Sequence, residues 1–209
     1  MYCLYGRDPR ITMIWVSYFA IVAFDVRFIN LKSRPDRLAQ IAEELSANHV
    51  SGVRIPAHKH RSGALGCVLS HIDAVTSLNA SVGLIMEDDA TFLRPLPYAE
   101  LEHPSFSWDV LLLAYNGPPT KGGAHWYRAM NMQTASMYAV RKEYIPTLLT
   151  VFRESVAGLT LGGAVSTYAL DQTWKRLQHH DRWFAAVPRI AIQRPSFSDI
   201  ELKHVNYKV

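Results

Sequence analysis

The polar and apolar positions change period along the chain, and the changes mark out elements. From Val26 onward, short apolar runs alternate with segments that repeat at helical spacing. Val26–Leu31 reads as a strand. Ser33 then offers an N-cap, Pro35 falls in a first turn, and Leu38, Ile41, Ala42 and Leu45 recur on one helical face. Val50–Ile55 reads as a second strand. A helix is predicted from Ser62 to about Leu78, with Leu65, Val68, Leu69, Ile72, Val75 and Leu78 on one side. Val82–Met86 is a short, wholly apolar strand that runs straight into Glu87, Asp88 and Asp89.

The second half is read the same way. Residues 90–107 hold three prolines and read as loop with a short helix. Trp108–Ala114, Thr134–Val140 and Trp183–Val187 read as strands, Lys142–Ser155 and Leu170–Gln178 as helices. Tyr115–Ala124 and Ala157–Thr167 are rich in Gly or small residues and read as loops. Arg189–Val209 reads as irregular. Strands alternating with helices predict an α/β fold, a mostly parallel central sheet flanked by helices. Such sheets bind ligands beyond the carboxyl ends of their strands.

A second apolar pattern precedes this one. Ile11–Phe24 is a run of 14 residues behind Arg7 and Arg10. That is short of the ~20 residues of a spanning helix. Residues 1–25 are therefore expected to be an apolar extension or a short signal anchor, through which membrane association would occur, and 26–209 the folded domain.

Composition narrows the function classes without choosing among them. The 209 residues are 49% hydrophobic and 19% charged, which excludes a disordered chain or a disulfide scaffold. Two cysteines, Cys3 and Cys67, are not expected to pair and cannot form a zinc cluster alone. Net charge is +4. The basic residues lie in small groups, Lys32/Arg34/Arg37 and His58-Lys59-His60-Arg61, not in the stripe of a nucleic-acid binder. They suit a small anion such as a diphosphate.

The strongest chemical signal is Glu87-Asp88-Asp89. Three adjacent carboxylates repel one another unless a cation or donors sit among them. Alternation along a strand would put Glu87 and Asp89 on one face and Asp88 on the other. Two oxygens on one face suit Mg²⁺ or Mn²⁺, and a solvated acidic turn is the plainer reading. Arg34 and Arg37 stand where a strand turns into a helix, a place that favours phosphate. Gly66 would allow close approach of backbone or tight helix packing. Cys67 reads as a small core residue, and His71 as a buried histidine hydrogen-bonded to backbone.

These pieces, in this order, resemble glycosyltransferase family 25. Phe28-Ile29-Asn30-Leu31 with Arg34-Pro35-Asp36-Arg37 is similar to the opening block of that family, and Gly63-Ala64-Leu65-Gly66-Cys67-Val68-Leu69-Ser70-His71 to its second. Glu87-Asp88-Asp89-Ala90 resembles the third, Thr134–Val140 a later strand, and Pro188, Gln193 and Ser198-Asp199-Ile200 the closing block. The likeness spans roughly residues 26–201. It implies a GT-A-like nucleotide-sugar-binding domain and an inverting hexosyltransferase. The enzyme would move galactose or glucose from a UDP-sugar to a glycan or hydroxylated protein acceptor, as in lipopolysaccharide or collagen glycosylation. Mn²⁺ or Mg²⁺ would be held by Glu87 and Asp89. Asn30, Arg34, Arg37, Gly66, His71 and Asp88 would bind the donor. Asp171, which opens a helix at the family's aspartate position, would be the catalytic base, with a helix N-cap as its plainer role. Asp199 is a weaker candidate, for metal or substrate contact. The alternatives are an inactive relative that binds a nucleotide or partner, and a sugar-nucleotide nucleotidylyltransferase.

Overall fold

A computed structural model describes residues 24–98, 101, 106–117, 125–198 and 203–205. Nearly all of the apolar run 11–24, together with Cys3 and Asp199, lies outside the described residues. No helix among those described is long and apolar enough to cross a membrane.

Seven strands form one sheet in the order β2-β1-β3-β7-β5-β8-β6. They are β1 (Phe24–Asn30), β2 (Val53–Pro56), β3 (Val82–Glu87), β5 (Val110–Asn116), β6 (His125–Arg128), β7 (Gln133–Arg141) and β8 (Trp183–Val187). Strands β1, β2, β3, β5 and β8 run one way, and β6 and β7 the other. The expected mostly parallel sheet is therefore present. The reversed β7 lies between β3 and β5, so a backward strand sits at the middle of the sheet.

Helices cover both faces, which is why the inner strands are apolar on both sides. On one face Ile85, Val110, Leu112, Tyr138 and Val140 pack under α2 (Gly63–Thr76) and α3 (Ile145–Thr160). On the other, Leu84, Met86, Leu111 and Leu113 share a core with Ile41 and Leu45 of α1 (Pro35–Ala47). Three short helices follow α3: α4 (Val165–Tyr168), α5 (Leu170–Thr173) and α6 (Lys175–His180).

Several expectations change. The cap of α1 is Arg34, with no side-chain hydrogen bond; Ser33 lies in the preceding turn, and Pro35 begins the helix. Helix α3 continues to Thr160, four residues into the stretch expected to be loop, and α4 takes up its last three. Gly158 sits inside α3 because a Cβ there would lie 2.1 Å from the Tyr168 ring. The tail read as irregular holds β9 (Ala191–Gln193), β10 (Ser196–Ser198) and β11 (Lys203–Val205), and β4 (Ala90–Phe92) pairs with β9.

The register brings chemistry to one edge. Asn30 pairs with Pro56, and Ile29 with Glu87, so β1, β2 and β3 finish side by side. Their carboxyl ends carry Asn30, the basic loop 57–61 and the acidic triplet.

Candidate functional site

A cavity of about 400 Å³ opens at this edge. Its walls include Arg37 from α1, Lys59 and Arg61 from the β2–α2 loop, Cys67 and His71 from α2, and the three acids after β3.

Strand β3 stops at Glu87, and Asp88 and Asp89 lie in a turn. Strand alternation therefore does not extend to them. The expected pairing of Glu87 with Asp89 on one face gives way to another: Asp88 and Asp89 converge on one guanidinium. Arg37 Nη1 donates to Asp88 Oδ1 at 2.8 Å and to Asp89 Oδ2 at 3.0 Å. Asn30 Nδ2 donates to Asp88 Oδ2 at 2.6 Å and to the Arg34 carbonyl at 3.1 Å, tying β1, the start of α1 and the triplet together. Gln193 Nε2 adds a bond to Asp89 Oδ2 at 3.2 Å.

Glu87 faces elsewhere. Its Oε1 meets His71 Nε2 at 3.2 Å and takes the Cys67 S–H at 3.6 Å. His71 is fully buried, and its Nδ1 lies 3.1 Å from the Tyr138 hydroxyl. The buried histidine is thus bonded to side chains rather than to backbone.

Charge in this cluster is unbalanced. Burial pushes the Asp89 carboxyl up to about 7, and the neighbouring Glu87 and Asp88 charges add to the push, against Arg37. Asp88 is also raised, first by burial. Burial works against Glu87 too, but its bonds from His71 and Cys67 hold it below the ordinary carboxylate range. The Cys67 thiol is pushed well up by burial and then by Glu87. One oxygen, Asp89 Oδ1, is buried without a hydrogen-bond partner among the described residues. An unbalanced acid cluster with an orphaned carboxylate oxygen is a fit for a hard divalent cation, which takes oxygen ligands. A buried, unmatched lone pair otherwise costs about 1–3 kcal/mol.

The other predicted residues take these places. The Arg34 side chain bonds Asp36, Nη2 to Oδ2 at 2.8 Å, and is not among the cavity walls. Gly66 is on the wall, where a Cβ would stand 2.5 Å from the His58 carbonyl oxygen. Its small size lets the basic loop lie against α2, which Ser70 reinforces by accepting from the His58 N–H at 2.8 Å. Asp171 is in the first turn of α5 but does not cap it; its Oδ2 accepts the Thr134 N–H at 3.0 Å, at the start of β7. Thr134 has φ 83°, a left-handed conformation that this bond helps to hold. Asp171 is not a cavity wall, although its charge reaches Cys67.

Lys59 and Arg61 are among the wall residues that the sequence left outside the candidate set. Their signal was present as a basic group after β2, but only the register of β1, β2 and β3 brings that loop to the acids.

No family model matches the chain, and no curated protein matches it. The likeness to glycosyltransferase family 25 rests on the short blocks quoted above. Among solved structures, the chain is similar to a glycosyltransferase involved in glycosylation of the major capsid of PBCV-1, at 8% identity and TM-score 0.49, over 85% of this chain and 96% of that one. A protein from STIV aligns at 11% identity and TM-score 0.48, over 82% and 95% of the two chains. The apo-form glycosyltransferase GlyE of Streptococcus pneumoniae TIGR4 aligns at 9% identity and TM-score 0.47, over 76% and 44%.

Proposed function

We propose that the chain is a metal-dependent, inverting glycosyltransferase. It would move a hexose, galactose or glucose, from a UDP-sugar to a hydroxyl of a glycan or protein acceptor. The observation that carries this reading is the acidic triplet Glu87-Asp88-Asp89, its two aspartates buried, on the wall of a 400 Å³ cavity at the carboxyl end of β3. The resemblance of the sequence blocks to family 25 supports it.

Asp89, through its unmatched Oδ1, and Glu87 would hold Mn²⁺ or Mg²⁺. Bound there, the cation supplies Lewis-acid stabilisation of a departing diphosphate, worth several kcal/mol. Asp88 keeps its bonds to Asn30 and Arg37, which fix the turn and partly neutralise it. Arg37 serves the phosphates through the acids it orders. Direct phosphate donors would be Lys59 and Arg61, exposed and lining the same cavity. Gly66 and His71 shape the floor beneath the donor.

In the transfer, the acceptor oxygen bonds to the anomeric carbon as the bond from that carbon to the phosphate oxygen breaks. The acceptor proton goes to a base, and UDP leaves with the bond pair. Asp171 is the base in this reading, with its Oδ2 anchored by Thr134. A positioned carboxylate contributes about 10²–10⁴-fold.

One observation favours a second reading, a nucleotide-binding module without turnover: Arg37 already pairs with two of the three acids. The test is a screen of UDP-, GDP- and CMP-sugars for hydrolysis and transfer across a Mn²⁺ titration. The reading expects metal-dependent release of UDP, lost in Asp89→Asn. Full metal-dependent turnover in Asp89→Asn would refute the metal assignment. UDP binding without turnover on any donor and acceptor would favour the second reading.

A further inference from the structure

We infer that Cys67, His71 and Glu87 form a second metal site, one for a thiophilic divalent cation such as Zn²⁺, sharing Glu87 with the site proposed above for a hard cation. Each residue offers one ligand atom, and the three atoms lie within 4.8 Å of one another. Cys67 and His71 stand four residues apart on α2 and so share a helical face. Glu87 reaches them from the end of β3.

The spacing suits tetrahedral zinc. Bond lengths of about 2.0 Å to N or O and about 2.3 Å to S give tetrahedral edges of about 3.3 Å for N···O and about 3.5 Å for S···O. The His71 Nε2···Glu87 Oε1 and Cys67 Sγ···Glu87 Oε1 separations are 3.2 and 3.6 Å. The third edge, Cys67 sulfur to His71 imidazole, is at most 4.8 Å and would be about 3.5 Å in a tetrahedron, so a cation that replaced the two hydrogen bonds would close any excess there.

The surroundings have the other marks of such a site. A metal-ligating histidine donates its second ring N–H to an outer partner, which fixes its tautomer and orientation. Here Nδ1 of the fully buried His71 faces the Tyr138 hydroxyl at 3.1 Å. With Nε2 on the metal, Nδ1–H donates to Tyr138. The Tyr138 ring is itself held edge-on by Trp174, at 5.6 Å between centroids. All three ligands are walls of the cavity, so the fourth position opens to it and a water or an anion would fill it. Sulfur and imidazole ligands select a softer cation than the all-oxygen pair of Glu87 and Asp89. Binding displaces the Cys67 S–H proton to solvent.

The test reads metal binding alone, so it stands apart from any turnover. Co²⁺, which reports thiolate ligation by a sulfur-to-cobalt charge-transfer absorption, is titrated into the metal-free chain, and Zn²⁺ is then added. One equivalent of Co²⁺ should produce the band, and Zn²⁺ should abolish it. Cys67→Ser should lose the band. Tyr138→Phe should keep it with affinity weakened about 10–100-fold. Should Cys67→Ser fail to fold, Cys3→Ser decides, since a retained band then assigns the sulfur to Cys67. Absence of the band in the wild-type chain, its survival in Cys67→Ser, or its loss in Cys3→Ser would overturn the inference.

Discussion

At the end of β3, one guanidinium answers two carboxylates, and each of the three groups is at most 8% exposed. Removing one member of a buried ion pair costs about 3–5 kcal/mol, because the other charge is left uncompensated. Arg37→Gln is therefore expected to lower stability by about that amount in denaturant titrations without metal. Mn²⁺ should restore part of the loss, since a cation on Asp89 would do some of the neutralising. No effect of Mn²⁺ on the variant would count against the hard-cation site. The triplet itself was legible in the sequence as a charge problem needing a solution. Its partner was not: Arg37 stands 51 positions from Asp88, and nothing local ties the two. The face assignment of Glu87 and Asp89 failed for a definite reason, since alternation holds only while the strand lasts.

Elements position what residues contribute. The acids rest on a strand clamped on both sides, by β1 and by β7. The basic loop rests on α2, through the contact that Gly66 permits. Asp171 joins α5 to β7 and can be tested for two roles at once. Asp171→Asn keeps an oxygen for the Thr134 N–H but loses the charge needed for a base. The proposed function expects turnover to fall about 10²–10⁴-fold in that variant while the melting temperature holds. Asp171→Ala should lose stability as well, by about 1–3 kcal/mol, because the Thr134 N–H loses its acceptor. Equal turnover in Asp171→Asn and the wild type would leave Asp171 a purely structural role.

The helices with a clean apolar stripe were readable, α2 most of all: it was expected from Ser62, the residue that caps it by accepting the Leu65 N–H. The short strands β4, β6 and β9 were not. Each has three or four residues, too few for a period to show, and each is a strand because a partner already lies beside it.

For the molecule as a whole, alternation of elements gave the α/β class and the mostly parallel sheet. It could not give the reversed β7, because a strand covered on both faces is equally apolar in either direction. The two cores meet the sheet from opposite sides, and tyrosines in the one under α2 and α3 make stability sensitive to base. Burial raises the Tyr144 hydroxyl well above its ordinary range, and its bond to Asp181 adds to the shift. Tyr115 and Tyr138 are raised by burial as well. The fold thus holds these protons more tightly than the unfolded chain, where tyrosine titrates near pH ~10. Their contribution is complete below that pH and declines as pH rises beyond it. Melting temperatures across the alkaline range should fall from about pH 10 upward, less steeply in Tyr144→Phe. A fall of equal steepness in the two would contradict this assignment.

The account turns on whether the acid triplet holds a cation that draws a nucleoside diphosphate into the cavity. Calorimetric titration of UDP into the chain, with Mn²⁺ and then with the metal chelated, measures that directly. The prediction is binding that needs Mn²⁺ and disappears in Asp89→Asn. UDP binding of equal strength without metal, or unchanged in that variant, would contradict it.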